Sequence, residues 1–474
     1  MTEHKSVHFI GIGGTGLSAI ARVLLESGYV VTGSDRLLSP LAKSLQAEGV
    51  RIAVGHRPEN IEGAQLVVRS SAIPDDNVEV KTAREQGIPV LKRNDFLASL
   101  MDDRFGIAVA GTHGKTTTTA MIAWMLTMLG ADPTFIAGGV LNNLGTNAHA
   151  GKGQAFVIEA DEYDHMFLGL KPKIAVVTNI EHDHPDCYPT PEDFFHAFED
   201  FAAQLGSDGT LLVCANDGGA ARLGQIAKAR GQKALSYAIR YSNNGSSNLP
   251  VAYVAEALTP NSVGGLTFDA ACLIKGDSFK SHSRIDLRLP GRHNVQNALA
   301  ALAVAHRMRL PIDLAVKALS EFRGTGRRFE VLGEAQGITV IDDYAHHPTE
   351  IRATLSAARM RFPKSRLWVV WQPHTYSRTR LLFDDFIVAF EQADDVLVTD
   401  IYAARESQPE DGFSSQQIVS AMNYPAVQYV PDFSQAIEFL VARLTSGDVL
   451  IVLSAGDADQ ISSGVLAQLK ERSY

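Results

Sequence analysis

Two glycine-rich segments, each lying between a short apolar run and a helical pattern, constrain this chain more than any other feature. Gly11-Ile-Gly-Gly-Thr-Gly16 follows the apolar residues 7–10, and Gly111-Thr-His-Gly-Lys-Thr116 follows the apolar residues 107–110. Glycines at such positions let backbone N–H groups surround an anion at the N-terminus of a helix. The sequence therefore predicts two α/β units, each with a phosphate site after its first strand.

Short apolar runs alternate with helical patterns along most of the chain, which is typical of parallel sheets covered by helices. A third α/β unit is predicted after the glycine-rich junction at residues 322–328, and residues 266–274 and 285–289 indicate a small β appendage to the second unit. The predicted strands of the α/β units are residues 7–10, 29–32, 66–68, 89–91, 107–110, 155–158, 174–178, 210–214, 338–341, 367–371, 396–399, 427–430 and 449–453.

Composition excludes several classes of protein. The 474 residues include 43 Lys and Arg against 53 Asp and Glu, and no basic run stands out, so a nonspecific nucleic-acid binder is not expected. Cys187, Cys214 and Cys272 are widely spaced and form no CxxC pair, which favours a reducing compartment over a disulfide framework. We expect a cytoplasmic protein without a membrane or nucleic-acid partner, and a homodimer is among the assembly states that the sequence leaves open.

The second glycine-rich segment predicts a nucleoside triphosphate site. Lys115 can neutralise phosphate charge, and the Thr116 hydroxyl can hold Mg²⁺. The segment departs from the strict P-loop pattern, because Val109 stands where that pattern has its first glycine. The predicted ATP-binding residues of the loop are Gly111, Thr112, His113, Gly114, Lys115, Thr116 and Thr117.

The first glycine-rich segment has two functional interpretations. Asp35, 19 residues after Gly16, could accept a hydrogen bond from a ribose hydroxyl, as in dinucleotide-binding folds. The same geometry suits any nucleotide diphosphate, so UDP fits as well as NAD. A third interpretation is that the segment is only a structural glycine turn that binds no ligand.

Two acidic segments follow predicted strands of the second unit. Residues 159–164 contain four carboxylates, and residues 178–184 add further oxygen and imidazole groups. The carboxyl ends of parallel strands meet at one edge of a sheet, where oxygen ligands beside a phosphate loop would suit Mg²⁺. Taken singly, each carboxylate could equally be a solvated loop residue, and the grouping is what favours a metal site.

These segments together resemble the Mur ligase family, which builds the peptide stem of bacterial cell-wall precursors. The resemblance spans nearly the whole chain, in order and in spacing. Besides the two glycine-rich loops, it rests on residues 33–35, 70–73, 159–162, 178–184, 291–297, 327–328, 342–348 and 372–374.

The resemblance implies three domains: a Rossmann-like UDP-sugar domain at residues 1–104, a central P-loop-like ATPase domain at 105–322, and a Rossmann-like amino-acid domain at 323–474. It implies an ATP-dependent ligase that joins L-alanine to the carboxylate of UDP-N-acetylmuramate through an acyl phosphate, giving ADP and phosphate. The implied cofactors are ATP and Mg²⁺.

The resemblance also implies roles for individual residues. Lys115, Arg328, His184 and His346 would be catalytic, and His346 and Arg378 would meet the amino acid. The ATP site would add His293, Asn294, Asn297, Arg328 and Asp343 to the loop. The UDP-sugar site would contain Gly11, Gly13, Gly14, Gly16, Ser34, Asp35 and Ser70. The metal ligands would be Thr116, Glu162, His184 and Glu199. Several relatives have a lysine carbamylated by CO₂ at what resembles the Glu199 position, so a glutamate there would make the activity independent of bicarbonate. Glu192, seven residues earlier, is expected on the same helix face, and Glu199 could equally be a solvated helix residue.

Two departures from the family pattern keep an alternative substrate open. Thr375 stands where members of this specificity commonly have arginine, and Tyr163 stands where they usually have serine. The nearest alternative is a ligase that adds a recycled tripeptide to UDP-N-acetylmuramate. In other classes, an NAD-dependent oxidoreductase and a regulatory nucleotide-binding protein remain, although Lys115 and Arg328 together favour chemistry over binding alone.

Overall fold

The computed structural model describes residues 5–240, 250–274, 283–424 and 426–472, which form three sheets covered by helices. The predicted α/β class with three domains is confirmed. Most of the turn-rich segment at residues 241–250 lies outside the described residues. No helix within the described ranges is long and apolar enough to cross a membrane.

The first domain is built on a parallel sheet. Its strands are β1 (Ser6–Ile10), β2 (Val30–Asp35), β3 (Arg51–Val54), β4 (Leu66–Arg69) and β5 (Val90–Lys92). Its helices are α1 (Thr15–Glu26), α2 (Pro40–Ala47), α3 (Val78–Glu85) and α4 (Arg93–Leu100). The strand order β3-β2-β1-β4-β5 reverses at β1, so the first glycine loop lies where doubly wound sheets bind ligands.

The second domain has a larger mixed sheet. Its strands are β6 (Phe105–Ala110), β7 (Thr134–Leu141), β8 (Thr146–His149), β9 (Ala155–Glu159), β10 (Ile174–Val177), β11 (Thr210–Cys214), β12 (Ala234–Ile239), β13 (Val251–Pro260), β14 (Leu266–Cys272) and β15 (Ser283–Asp286). Its helices are α5 (Lys115–Met128), α6 (Pro191–Ala203), α7 (Gly218–Ala229), α8 (Arg292–Arg307) and α9 (Ile312–Ser320). The strand order is β15-β14-β13-β12-β11-β10-β6-β9-β7-β8.

The predicted β appendage continues this sheet instead of standing apart from it. β13 pairs in parallel with β12, and β14 and β15 then add antiparallel strands. Helices α5 and α8 share one apolar core on one face of the sheet, which explains why most of their side chains are buried. The phosphate loop that precedes α5 therefore leads into a rigidly packed helix.

The third domain has a parallel sheet with one antiparallel edge. Its strands are β16 (Glu330–Ala335), β17 (Ile338–Asp343), β18 (Leu367–Trp371), β19 (Asp395–Val398), β20 (Val427–Tyr429) and β21 (Val449–Leu453). Its helices are α10 (Pro348–Arg361), α11 (Tyr376–Leu381), α12 (Phe383–Phe386), α13 (Ser415–Ala421), α14 (Phe433–Arg443) and α15 (Asp459–Glu471). The order β16-β17-β21-β18-β19-β20 places the loops after β17 and β18 at the same edge.

Candidate active site

The phosphate loop between β6 and α5 needs glycine at two positions. Gly111 and Gly114 have φ values of +134° and +80°, a region that side chains disfavour. A Cβ atom on Gly111 would lie 2.0 Å from Thr178 Oγ1. The close approach of the segment after β10 therefore excludes any larger residue at Gly111.

The segment after β10 holds the loop in shape. The amide of His113 donates to Asn179 Oδ1 at 2.8 Å, and the Thr178 hydroxyl donates to the His113 carbonyl at 2.6 Å. The Thr112 hydroxyl donates to the Glu181 carbonyl at 2.8 Å. Part of the acidic segment predicted to bind metal thus supports the backbone of the phosphate loop.

Lys115 folds back over its own loop. Its Nζ donates to the Gly111 carbonyl at 2.6 Å and to Glu162 Oε1 at 2.8 Å. Burial alone would lower the pKa of Lys115, but the carboxylates of Glu162 and Asp161 raise it above its ordinary value. The ammonium is therefore charged and held next to the place where phosphates would bind.

Glu162 and His184 provide groups that fit a divalent cation. Glu162 is 1% exposed, its Oε1 is 3.5 Å from His184 Nε2, and its Oε2 is buried without a hydrogen-bond partner among the described residues. An unpaired carboxylate oxygen in the interior is costly, and a bound cation would satisfy it. The nearby Thr116 hydroxyl donates to Glu159 Oε1 at 2.9 Å. The site is suited to Mg²⁺.

Two other carboxylates of the predicted cluster, Asp161 and Glu159, have protein partners of their own. Asp161 pairs with Arg93 of the first domain at 3.2 Å. The pKa of Glu159 is raised by burial, and its second oxygen accepts from the Gly138 amide at 2.5 Å. Carboxylates that are neighbours in the sequence therefore have different partners in the structure.

Glu199 is not brought to this group in the structure. It lies on α6, and among the described residues its carboxylate contacts Arg230 at 2.9 Å and His196 at 2.7 Å. Glu192, two turns earlier, pairs with Arg222 at 3.4 Å. Both acids thus share one face, as the spacing predicts, but that face meets the arginines of α7 and its C-terminal end. These contacts give no support to Glu199 as a metal ligand, and that role stays a prediction.

A cavity of about 260 Å³ opens beside the phosphate loop, between the second and third domains. Several predicted ATP-binding residues line it: His113, Gly114, Thr116, Thr117, His293, Asn294, Asn297, Arg328 and Asp343. Other residues that line the cavity were not predicted from the sequence, among them Asn216, Asp217, Tyr237, Gln296 and Glu350. Asn216 and Asp217 directly follow β11, and this position at a strand's carboxyl end could have indicated them.

Polar groups without charge form part of the cavity wall. Burial lowers the pKa of His293 to about 4, so its imidazole is neutral. The Asn294 amide donates to the Pro290 carbonyl at 2.7 Å, and the Asn297 amide donates to Asn294 Oδ1 at 3.3 Å. Such a neutral surface is suited to hydrogen bonding with a nucleobase.

Arg328 brings a cation from the third domain to the cavity. Its guanidinium carbon is 4.9 Å from the centre of the Tyr344 ring, and its Nη1 is 3.4 Å from Glu350 Oε1. Asp343 accepts from the amides of Phe329 and Ala345, each at 2.7 Å. Burial raises the pKa of Asp343 to about 6. Asp343 therefore ties the backbone directly after Arg328 to the loop that follows β17.

The residues predicted to bind the substrate amino acid also lie at the boundary between the second and third domains. Arg378 is buried, and its Nε donates to Asp183 Oδ1 of the second domain at 2.8 Å. The rings of His346 and His374 lie 5.7 Å apart, and His374 Nδ1 is 2.9 Å from Arg378 Nη1. Because Asp183 precedes His184, this group lies next to the candidate metal ligands.

The first glycine loop is held mainly by residues of its own domain. The Gly13 amide donates to Asp35 Oδ2 at 2.7 Å, and Gly11 has a φ of +85°. A Cβ on Gly11 would lie 3.2 Å from Ser70, and one on Gly16 would lie 2.0 Å from Arg93 Nη1. The predicted UDP-site residues Gly11, Gly13, Gly14, Gly16, Asp35 and Ser70 thus belong to one loop region.

Ser34 departs from that expectation. Its side chain is fully buried, and its hydroxyl donates to Glu79 Oε2 at 2.6 Å. Its carbonyl accepts from the Gly11 amide at 2.8 Å. Ser34 therefore supports the loop from beneath, and its hydroxyl is not available to a ligand on the loop surface.

Comparisons with known proteins agree with this architecture. The chain matches the models of the Mur ligase family catalytic domain at residues 6–105, the Mur ligase middle domain at 109–305 and the Mur ligase glutamate ligase domain at 327–456. It is 43% identical to the UDP-N-acetylmuramate–L-alanine ligase of Geobacter sp. (strain M21), over 98% of each chain.

Solved structures show the same likeness. The UDP-N-acetylmuramate-alanine ligase of Thermotoga maritima superposes with a TM-score of 0.81 at 27% identity, covering 98% of this chain and 99% of its own. A murein peptide ligase of Psychrobacter arcticus gives a TM-score of 0.73 at 26% identity, covering 98% of each chain. The domain matches and the full-length identity together show that the chain belongs to the Mur ligase family.

Proposed function

We propose that this chain is an ATP-dependent ligase that joins L-alanine to the carboxylate of UDP-N-acetylmuramate, with release of ADP and phosphate. The observation that supports this most directly is the set of charged residues at the boundary between the second and third domains. There the Lys115 loop and Glu162 lie beside the third-domain cations Arg328 and Arg378. The 43% identity to alanine-adding relatives favours L-alanine as the amine.

The chemistry requires activation, because a carboxylate is a poor electrophile at neutral pH. Transfer of the γ-phosphoryl group to the substrate carboxylate gives an acyl phosphate. The amine then attacks the acyl carbon and inorganic phosphate leaves. The charge that develops on the phosphoryl oxygens must be offset by fixed cations, which is usually the largest electrostatic contribution in such reactions.

Lys115 and Arg328 are the protein's own cations for that charge. Lys115 donates to Glu162 and to the Gly111 carbonyl, so an arriving phosphate would compete for the ammonium. Thr116, Glu162 and His184 would hold Mg²⁺, which supplies further charge neutralisation when bound. His346 and Arg378 would orient the amino acid beside them. These residue roles are part of the proposal.

The first domain would hold the UDP end of the sugar nucleotide on the loop from Gly11 to Gly16. An NAD-dependent oxidoreductase built on that loop would have no use for Lys115 or for the cavity beside it. Calorimetry in the absence of ATP should detect binding of UDP-N-acetylmuramate and none of NADH. Tight NADH binding would overturn this assignment. A cytoplasmic location remains a prediction from cysteine usage alone.

Phosphate release tests the proposed reaction. The assay contains ATP, Mg²⁺ and UDP-N-acetylmuramate, with L-alanine, glycine, L-serine or a muramyl-type tripeptide as the amine. We expect the highest kcat/KM with L-alanine. Preference for the tripeptide would instead support the recycling ligase, which Tyr163 and the likeness to a murein peptide ligase keep as the second candidate. Absence of amine-dependent release would contradict both.

A further inference from the structure

A buried carboxylate outside the predicted site joins the two domains that form the cavity. Glu350 lies in the first turn of α10, and its side chain is 10% exposed. Its Oε1 is 3.2 Å from His113 Nδ1 of the phosphate loop and 3.4 Å from Arg328 Nη1 of its own domain. One oxygen atom therefore contacts a group of the ATP loop and the arginine proposed to meet the transferred phosphate.

The start of α10 determines where this carboxylate points. Pro348 begins the helix, and His347 caps it by accepting from the Thr349 amide. The His346 amide donates to Glu350 Oε2 at 3.1 Å, which restrains one oxygen at the helix N-terminus. The other oxygen is left to face the cavity and the second domain.

The local charges are arranged around Glu350. Burial alone would raise the pKa of Glu350, yet the His113 imidazolium and the Arg328 guanidinium hold it well below its usual range. Burial alone would lower the pKa of His113, but Glu350 and Glu181 raise it to about 9. His113 Nε2 is 3.0 Å from Glu181 Oε2, so the imidazolium lies between one carboxylate of each domain.

A carboxylate in a triphosphate cavity repels the ligand, so contact with phosphate does not explain its presence there. Glu350 instead contacts two cations whose separation matters for phosphoryl transfer. We propose that Glu350 is a positioning residue that holds Arg328 against the His113 side of the phosphate loop, so that seating of the third domain completes the ATP site. This inference rests on the proposed ligase function and deepens it.

The alternative is that Glu350 only caps α10. Glu350→Gln separates the two roles, because the amide oxygen can still accept from the His346 amide while the negative charge is lost. If Glu350 positions Arg328 and His113, kcat for phosphate release should fall about tenfold or more, since productive geometry is lost at the reacting phosphate. The melting temperature and the affinity for UDP-N-acetylmuramate should stay unchanged.

Asp394→Asn is a matched control in the same domain. Asp394 accepts from the Leu367 amide at 2.8 Å and from Arg359 at 2.8 Å, the same pairing of backbone amide and arginine, away from the cavity. This variant should keep wild-type kcat. Glu350→Asp, which keeps the charge on a shorter side chain, should recover part of the activity lost in Glu350→Gln and replaces it as the test if the latter fails to fold.

A double-mutant cycle with His113→Asn tests whether Glu350 acts through His113. If Glu350 acts through His113, the double variant should lose less than the product of the two single losses. A kcat for Glu350→Gln within twofold of wild type, or fully multiplicative losses, would overturn the positioning role. The wild-type enzyme is assayed in parallel. If it releases no phosphate with any amine, the ligase proposal itself fails, whereas loss confined to the variants concerns Glu350 alone.

Discussion

The two glycine loops use the same backbone device but differ in what surrounds them. Each follows the first strand of its sheet and leads into a helix, at residues 11–16 and 111–116. The first loop is held mainly by its own domain, where Asp35 accepts from the Gly13 amide, and its one contact from the second domain among the described hydrogen bonds is the uncharged amide of Asn147 on the Thr15 carbonyl at 3.5 Å. The second is surrounded by side chains of two domains, including Glu162 on Lys115 and Glu350 on His113.

This difference separates binding from chemistry. Backbone amides and a helix N-terminus are enough to hold a diphosphate. Transfer of a phosphoryl group also needs cations and metal ligands at the reacting oxygens, and these come from other parts of the chain. The charged residues at the boundary between the second and third domains, rather than the glycine loop itself, thus distinguish the proposed ATP site from the proposed UDP site.

The largest effect is expected from Lys115→Ala. Loss of a charged contact to the transferred phosphoryl group should lower kcat by about 10²-fold or more, while calorimetric binding of UDP-N-acetylmuramate to the first loop is retained. Lys173→Ala is the control, because Lys173 pairs with Asp208 on the surface at 2.8 Å. Turnover near the wild-type level in Lys115→Ala would contradict the proposal that Lys115 contacts the transferred phosphoryl group.

Alanine substitutions in the two loops should differ in their effect on folding. Gly111→Ala combines a φ of +134° with a Cβ atom 2.0 Å from Thr178 Oγ1, and we expect it to cost roughly 3 kcal/mol in urea unfolding and to abolish ATP binding. Gly14→Ala meets no atom closer than 3.6 Å and should fold normally. Its added methyl group should still weaken UDP-sugar binding, if that ligand lies on the loop. Equal stability of the two variants would contradict the difference in packing.

The Glu79 carboxylate lies beneath the first loop, and its contribution to the stability of the fold should be lost in acid. Burial alone would raise the pKa of Glu79, but hydrogen bonds from His8, Ser34 and Asn60 lower it to about 2. A lowered native pKa stabilises the fold above the ordinary carboxyl pKa, and the contribution is lost as pH falls toward 2. Glu79→Gln should flatten the stability-versus-pH curve of the chain between about pH 4.5 and 2. An unchanged curve would show that Glu79 makes no such contribution.

The smallest effect is expected from Glu199→Ala. Removal of its pairs with Arg230 and His196, both more than half exposed, should cost about 1 kcal/mol or less. The rate, its Mg²⁺ dependence and its indifference to bicarbonate should not change. A shift in the Mg²⁺ concentration needed for half-maximal activity would restore Glu199 to the metal site and would show that α6 moves when substrates bind.

The strands predicted from the sequence and those missed differ in how continuous their apolar runs are. Interior strands such as β10, β18 and β21 are buried along their whole length, so they consist of continuous apolar residues. Strands β3, β8 and β16 at sheet edges, and β7, β12 and β13 inside the second sheet, were not predicted; polar residues or glycines interrupt their apolar runs. Such a strand is defined by the strands that it pairs with, which a local pattern does not contain.

The sequence by itself determined the features that depend on neighbouring residues: the apolar strands, the two glycine loops, and Lys115 and Thr116 at the start of α5. Only the tertiary structure decided which acids serve the site. It directs Glu162 to Lys115, Asp161 to Arg93 and Glu199 to Arg230, and it brings Glu350 to His113. Glycine loops follow from backbone sterics within a few residues, whereas charges pair through space, so their partners depend on how helices and domains pack.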